Sequence, residues 1–239
     1  MDLSNIADVL VADLQDLHFS DPVTHVYNPL EYARAPYDLY VKRYGRGRRE
    51  VVLLGMNPGP WGMLQTGVPF GEVNKVRNWL GIDAIVGKPL HEHPKRPVQG
   101  FACKRSEVSG TRLWGWAQDA FGTPKRFFQR FFIVNYCPLA FFDAGGRNIT
   151  PDRLPIKQRK ALAAACDDAL RRTIEYFEPR HVIGVGKFAA SRAEAALKDL
   201  DVTVGGILHP SPASPAANQN WAAKATAQLE SYGIEWPRT

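Results

Sequence analysis

Short, almost wholly apolar runs alternate along the chain with longer stretches in which apolar residues recur every three or four positions. Val51, Val52, Leu53 and Leu54 form the first run, and Phe131, Phe132, Ile133 and Val134 the second. Val182, Ile183 and Val185 supply a third, and Val202, Val204, Ile207 and Leu208 a fourth. Runs of this length, bounded by glycine or proline, predict strands buried on both faces. Elsewhere the period is helical. Ile6, Val9, Leu10, Ala12 and Leu14 predict a helix over 6–17, with Ser4 or Asn5 as its N-cap. Tyr27 to Tyr32 reads as a turn into a short helix that includes Tyr40. Val73, Val76, Trp79 and Leu80 suit a short helix, and Leu113, Trp114, Trp116 and Ala117 an aromatic-rich one over 111–121. From Pro155 a long helix puts Leu162, Cys166, Ala169, Leu170, Ile174 and Phe177 on one face. Another begins at Phe188, directly after the third strand, and a last one covers 216–229. Four buried strands alternating with helices predict an α/β fold, a central four-stranded parallel sheet with helices on both faces. Neither a repeat nor a clean linker divides the chain, so a single domain over 1–239 is expected.

Polar side chains at the strand ends are the candidates for chemistry. The first strand breaks at Gly55 into a loop with five glycines and three prolines before Glu72. In open α/β sheets such a loop, at the carboxyl end of a strand, is where ligands bind. A rigid turn capping the strand is the plainer alternative. Asn57, Gln65, Thr66 and Glu72 are the loop's side chains able to do chemistry, and Phe70 offers an aromatic face. The second strand ends on Asn135, an amide that needs partners for both its oxygen and its nitrogen. The fourth delivers His209, Pro210, Ser211, Pro212, Ala213 and Ser214 to the same rim. Gly184 and Gly186 make a Gly-x-Gly turn before a helix, where backbone N–H groups and Lys187 suit a phosphate. The basic stretch from Lys42 to Arg49 reads as solvated surface, and His91 and His93 as loop histidines at the surface.

The formal net charge of +6 favours an acidic partner, nucleic acid being the commonest. Cys103, Cys137 and Cys166 are widely spaced and form no C-x-x-C pair, so no metal site or cluster is expected. So few thiols suggest a reducing compartment. The first residues lack the basic start and apolar core of a secretion signal, and no apolar run reaches membrane-spanning length. The expectation is an intracellular protein, in cytoplasm and nucleoid if bacterial and in the nucleus if eukaryotic.

Gly55-Met56-Asn57-Pro58-Gly59-Pro60, continuing through Gln65-Thr66-Gly67-Val68-Pro69-Phe70-Gly71, together with His209-Pro210-Ser211-Pro212, closely resembles the single-strand-selective monofunctional uracil-DNA glycosylases. The likeness extends to His93-Pro94-Lys95-Arg96-Pro97, Ser106-Glu107-Val108-Ser109-Gly110, Asn135-Tyr136-Cys137-Pro138 and Gly146-Arg147-Asn148-Ile149-Thr150-Pro151. It runs in consistent order from about Tyr27 to Trp221. The resemblance implies the three-layer uracil-DNA glycosylase fold and hydrolysis of the N-glycosidic bond of uracil, and of 5-hydroxymethyluracil, in DNA. The base is flipped out of the strand and an abasic site is left. By the same resemblance Asn57 positions water, His209 contacts uracil O2, Asn135 reads the polar edge of the base and Phe70 stacks on it. Met56, Gly59 and Met63 line the base pocket, the latter two where substituents at C5 are admitted or refused. Gly186, Lys187, Pro210, Ser211, Pro212, Ala213 and Ser214 are expected to touch DNA. The family needs no metal or cofactor, and a monomer is expected.

The implied chemistry is physically coherent. Bond cleavage leaves negative charge on the base and positive charge on the sugar, so a donor aimed at O2 favours the transition state over the ground state. Asn57 can orient water but cannot take its proton, which requires that the sugar cation be largely formed before attack. Asn135 can donate to O4 and accept from N3–H, and cytosine presents the opposite pattern. One departure stands out: many relatives carry arginine directly after His-Pro-Ser-Pro, and this chain has Ala213. A small side chain cannot fill the gap left by a flipped base, which puts activity on well-paired duplex in doubt. Tyr136 and Trp61 replace residues that vary in the family and read as packing changes. Three rivals remain: a glycosylase of the same fold preferring xanthine or hypoxanthine, a non-catalytic lesion-binding module, and a phosphate-handling enzyme using the Gly-x-Gly turn. The last lacks a Walker lysine–serine pair or a carboxylate cluster for Mg²⁺.

Overall fold

The computed structural model describes residues 1–237. In chain order its main elements are α1 (Leu3–Gln15), β1 (His25–Tyr27), α2 (Pro29–Tyr32), α3 (Arg34–Tyr44), β2 (Val51–Gly55) and α4 (Met63–Thr66). Then come α5 (Val108–Phe121), α6 (Pro124–Phe128), β3 (Phe131–Asn135), β4 (Ala140–Phe142), β5 (Asn148–Ile149) and α7 (Ile156–Phe177). The chain closes with β6 (His181–Val185), α8 (Lys187–Ala196), β7 (Thr203–Ile207) and α9 (Trp221–Ser231).

The four runs read as buried strands form one parallel sheet in the order β3-β2-β6-β7. Val51 to Leu54 and Phe131 to Ile133 are all but inaccessible to solvent, as strands covered on both faces must be. Helices α1, α7 and α8 pack together against the sheet, while α5, α6 and α9 form a second group. Between that second group and the sheet lies an aromatic cluster in which Trp116 stacks on Trp236 at 3.6 Å between ring centres. Phe121, Phe127 and Phe131 meet Trp236 edge-on. The sheet register sets Gly55 beside Asn135, so the two loops that follow rise from one rim.

Several expectations need correction. Helix α1 starts earlier than predicted, and its N-cap is Asp2, whose carboxylate accepts the N–H of Asn5 at 2.9 Å, so neither Ser4 nor Asn5 fills that position. The helix placed around Tyr40 is two, α2 and α3. The 73–80 segment closes as a wide π-type turn over Lys75–Trp79. A second, three-stranded antiparallel sheet, β1-β4-β5, was not anticipated; its strands are two or three residues long. The basic stretch is not simply solvated. Arg49 is buried, donates to the carbonyls of Tyr44, Arg46, Gly47 and Arg48, and lies over Phe177. His93 is buried too, with Nδ1 accepting the N–H of Lys95 at 3.0 Å and Nε2 3.2 Å from the Ala144 carbonyl. Among the described residues no helix is long and apolar enough to cross a membrane, and no group of three or more His, Cys, Asp or Glu could hold a metal ion.

Candidate active site

At the carboxyl ends of the parallel strands a cavity of about 550 Å³ is lined by Met56, Asn57, Gly59, Phe70, Asn135 and His209, among others. Three strand ends supply it. Asn57 follows β2 by two residues, Asn135 ends β3, and His209 follows β7 by two residues. Gly186 and Lys187, after β6, approach differently. Lys187 is exposed at the start of α8. Gly186 has φ +96°, and a Cβ there would stand 3.1 Å from that of His209. Glycine at 186 therefore lets the strand-to-helix turn close against the histidine.

His209 is fixed in both orientation and tautomer. Its Nδ1 accepts the backbone N–H of Ser211 at 3.0 Å, so the neutral ring carries its proton on Nε2. Burial lowers its pKa to about 4, which keeps the imidazole uncharged at neutral pH. A neutral N–H donor is the result. The loop that follows is held from outside: Arg112 on α5 donates to the carbonyls of Pro210 and Ala217 at 2.9 and 3.2 Å and to Asn218 Oδ1 at 3.1 Å. Asn218 in turn donates to the Pro212 carbonyl at 2.9 Å. Pro212 and Ala213 are exposed, and Ser211 and Ser214 half-buried.

The amides are pinned as well. Asn57 Nδ2 donates to the Leu139 carbonyl at 3.1 Å, which leaves its oxygen free to accept from a ligand or water. Asn135 Nδ2 rests on the sulfur of Met63 at 3.2 Å, a weak acceptor that a better one can replace. Phe70 sits with φ +53°, a left-handed conformation rare for an aromatic residue, and such strain gathers at functional sites. Its ring centre is 6.1 Å from that of His209 and tilted by 41°. Gln65, Thr66 and Glu72, candidates by side-chain type, belong instead to the scaffold. Gln65 bridges Pro60, Pro97 and Gln99; Thr66 donates to the Gly71 carbonyl at 2.8 Å; Glu72 accepts the N–H of Lys75 at 3.0 Å.

Trp61 packs against the edge of the core, as expected, and does more. It lines the cavity, half-buried, with the Arg105 guanidinium 4.3 Å and that of Arg96 5.5 Å from its ring centre. Tyr136 fits the packing reading: buried, it donates to Asp167 at 2.7 Å and accepts from Arg192 Nε at 3.0 Å. Glu107 was missed as a functional candidate. It stands at the N-cap position of α5 without a capping side-chain hydrogen bond, lines the cavity, and its Oε2 is buried without a hydrogen-bond partner. Burial, with Glu72 nearby, raises its carboxyl pKa to about 7. Its sequence signal is the Ser106-Glu107-Val108-Ser109-Gly110 string alone, which by residue type points to an exposed helix start.

The sequence model of the uracil DNA glycosylase superfamily matches residues 42–230. The single-strand selective monofunctional uracil-DNA glycosylase of Rattus norvegicus is 51% identical over 227 residues, spanning 94% of this chain and 82% of that protein. Its counterpart in Bos taurus is 51% identical over 224 residues, 93% of this chain and 82% of that one. Among solved structures, wild-type Pedobacter heparinus SMUG2 aligns with a TM-score of 0.67 at 18% identity, covering 96% of this chain and 99% of that chain. That likeness speaks to the fold.

Proposed function

This chain belongs to the uracil DNA glycosylase superfamily, and from that premise we propose that it hydrolyses the N-glycosidic bond of uracil in DNA, as a monofunctional repair glycosylase. The same site acts on 5-hydroxymethyluracil. The observation that carries the reading is the state of His209: an uncharged imidazole whose one N–H is free to donate, in a cavity shared with Asn57 and Phe70. Hydrolysis of this bond needs such a donor, because the departing base becomes an anion and O2 bears part of its charge. A neutral donor strengthens its hydrogen bond as that charge grows, without binding an anion that has not yet formed.

The remaining roles follow from where polar atoms are free. The base lies on Phe70. Asn135, turning its amide from the Met63 sulfur to the base, donates to O4 and accepts from N3–H. Asn57, tied through Nδ2, accepts a hydrogen bond from the attacking water with its oxygen and aims the water at C1′ of the sugar. Met56, Gly59 and Met63 complete the pocket. Pro210 to Ser214, Gly186 and Lys187 meet the DNA strand, with the guanidinium groups of Arg96 and Arg105 nearby at Trp61. A base inside a duplex is out of reach, and extruding it costs a few kcal/mol unless it is unpaired or mispaired. With Ala213 where a long side chain would help hold the strands apart, single strands are the better substrate. The protein works as a single domain and a monomer.

Oligonucleotides carrying uracil, xanthine or hypoxanthine, single- and double-stranded, test the reading. Release of free uracil, fastest from single strands, is expected; no release of any base, or release of the purines alone, overturns it. Lys187 is exposed and no other lysine lies in the rim motifs, so borohydride should trap no covalent adduct with the DNA.

A further inference from the structure

At about 550 Å³ the cavity suits a ligand larger than one pyrimidine ring. Its lining also includes Trp61 and Thr150, half-buried, and Ser106 and Asn148, exposed, none of which has a task in the reading above. Trp61 is the large one, and its loop is stiff. Pro58 and Pro60 restrict the backbone ahead of it. The buried Gln65 then ties that loop to the next segment. Its Nε2 donates to the carbonyls of Pro60 and Pro97 at 3.0 and 3.1 Å, and its Oε1 accepts the N–H of Gln99 at 2.8 Å. The two guanidinium groups beside the indole differ. Arg96 is pinned, with Nε donating to the Gly146 carbonyl at 2.6 Å. Arg105 lies 4.3 Å from the ring centre, is exposed, and makes no side-chain hydrogen bond or ion pair among the described residues.

We propose that Trp61 and Arg105 form a subsite for a nucleotide next to the extruded one, its base lying on the indole and its phosphate meeting the guanidinium. The inference rests on the glycosylase reading above. A strand whose base is in the pocket has to leave past the exposed lining, so a neighbouring nucleotide is carried over it. An exposed cation held only by a ring face gives that face up at modest cost, and a phosphate offers it a bidentate partner. Base–aromatic stacking needs no particular base, because every base has a π-face. In a duplex the neighbour is already stacked and paired. In a single strand it is free to move onto Trp61, so this subsite rewards single strands. Asn148 and Thr150 use no side-chain hydrogen bond among the described residues and are left to the sugar and phosphates.

The test uses single-stranded oligonucleotides with one uracil, intact or with the nucleotide on its 5′ or its 3′ side replaced by a baseless tetrahydrofuran analogue. On intact strands Trp61→Ala should lower kcat/KM for uracil release about 5- to 100-fold, the worth of one stacked base, mostly through KM. On one of the two baseless strands the unaltered protein should lose a similar factor, and Trp61→Ala should lose little more. Trp61→Phe keeps a ring and should lose less. Trp61→Leu keeps apolar bulk against the core and carries the test if the alanine variant does not fold. Arg105→Ala should reduce the slope of log affinity against log salt by about 0.7, one phosphate contact on a single strand; an unchanged slope overturns the guanidinium's part. Equal losses on intact and baseless strands, or none on either, would make Trp61 a packing residue and overturn the inference alone. Failure of the unaltered protein to release uracil from any strand overturns the glycosylase reading, and this one with it.

Discussion

On one side of the cavity Asn57, Asn135 and His209 each have a hydrogen-bond partner within the protein; on the other, Oε2 of Glu107 has none. Asn57 and His209 are held whether or not a ligand is present, and Asn135 rests on a weak acceptor that it can give up. Ser211 fixes a tautomer, Leu139 fixes an amide, and each side chain keeps one polar atom in reserve. Glu107 is placed by packing alone, against glycines. The first arrangement suits groups that must meet charge as it develops, since a donor that has to reorient loses much of its advantage. The second leaves a buried oxygen without a donor, a cost that the packing around it must carry.

The comparison breaks most decisively if the preorganised side proves dispensable. Asn57→Ala or His209→Ala should lower the rate of uracil release by about 10²- to 10³-fold while DNA binding persists; single-turnover kinetics beside a binding titration will tell. Comparable loss of binding would mean these side chains hold the strand and do not serve the reaction.

Next in size is an opposition in how the two sides titrate. Burial lowers His209 from 6.5 to about 4, so its contribution to stability is present above the ordinary value and is lost as pH falls through about 4. Burial raises Glu107 from 4.5 to about 7, so its contribution is present in acid and is lost as pH rises through about 7. Each spans on the order of 3 kcal/mol at full extent. Urea unfolding across pH 4 to 8 should give Glu107→Gln a flatter profile than the unaltered protein above pH 5. An unchanged slope would show that the carboxyl is not buried in solution.

The smallest effect sharpens the packing. Gly59→Ala should lower stability by about 1–3 kcal/mol through overpacking against Oε1, and Glu107→Ala in the same chain should recover much of it. Thermal melts of the four proteins in a double-mutant cycle measure the coupling; additive losses would separate the two residues.

What could be read from the sequence follows the same division. β2, β3, β6 and β7 were legible because a strand covered on both faces must be apolar throughout, and a polar residue at its end is conspicuous. Asn57, Asn135 and His209 were found that way before any resemblance gave them roles. Strands β1, β4 and β5 were not, because two or three residues leave no period to detect. Arg49 and His93 misled because residue type predicts exposure, whereas their burial is arranged by carbonyls of a neighbouring turn and by Ala144. Glu107 escaped for a related reason. Its surroundings are Gly59 and Gly62, far back along the chain, and a charged residue just before a helix looks like any exposed cap.

Both sides of the cavity hang from one rod. Glu107 stands at the first step of α5, and five residues later Arg112 grips the loop that bears His209. A shift of that helix would move Glu107 and the His209 loop together and change their place against Asn57 and Asn135, which β2 and β3 carry. Trp116, four residues past Arg112 in α5, anchors the same helix through its stack on Trp236, so a substitution there bears on the loop that carries His209.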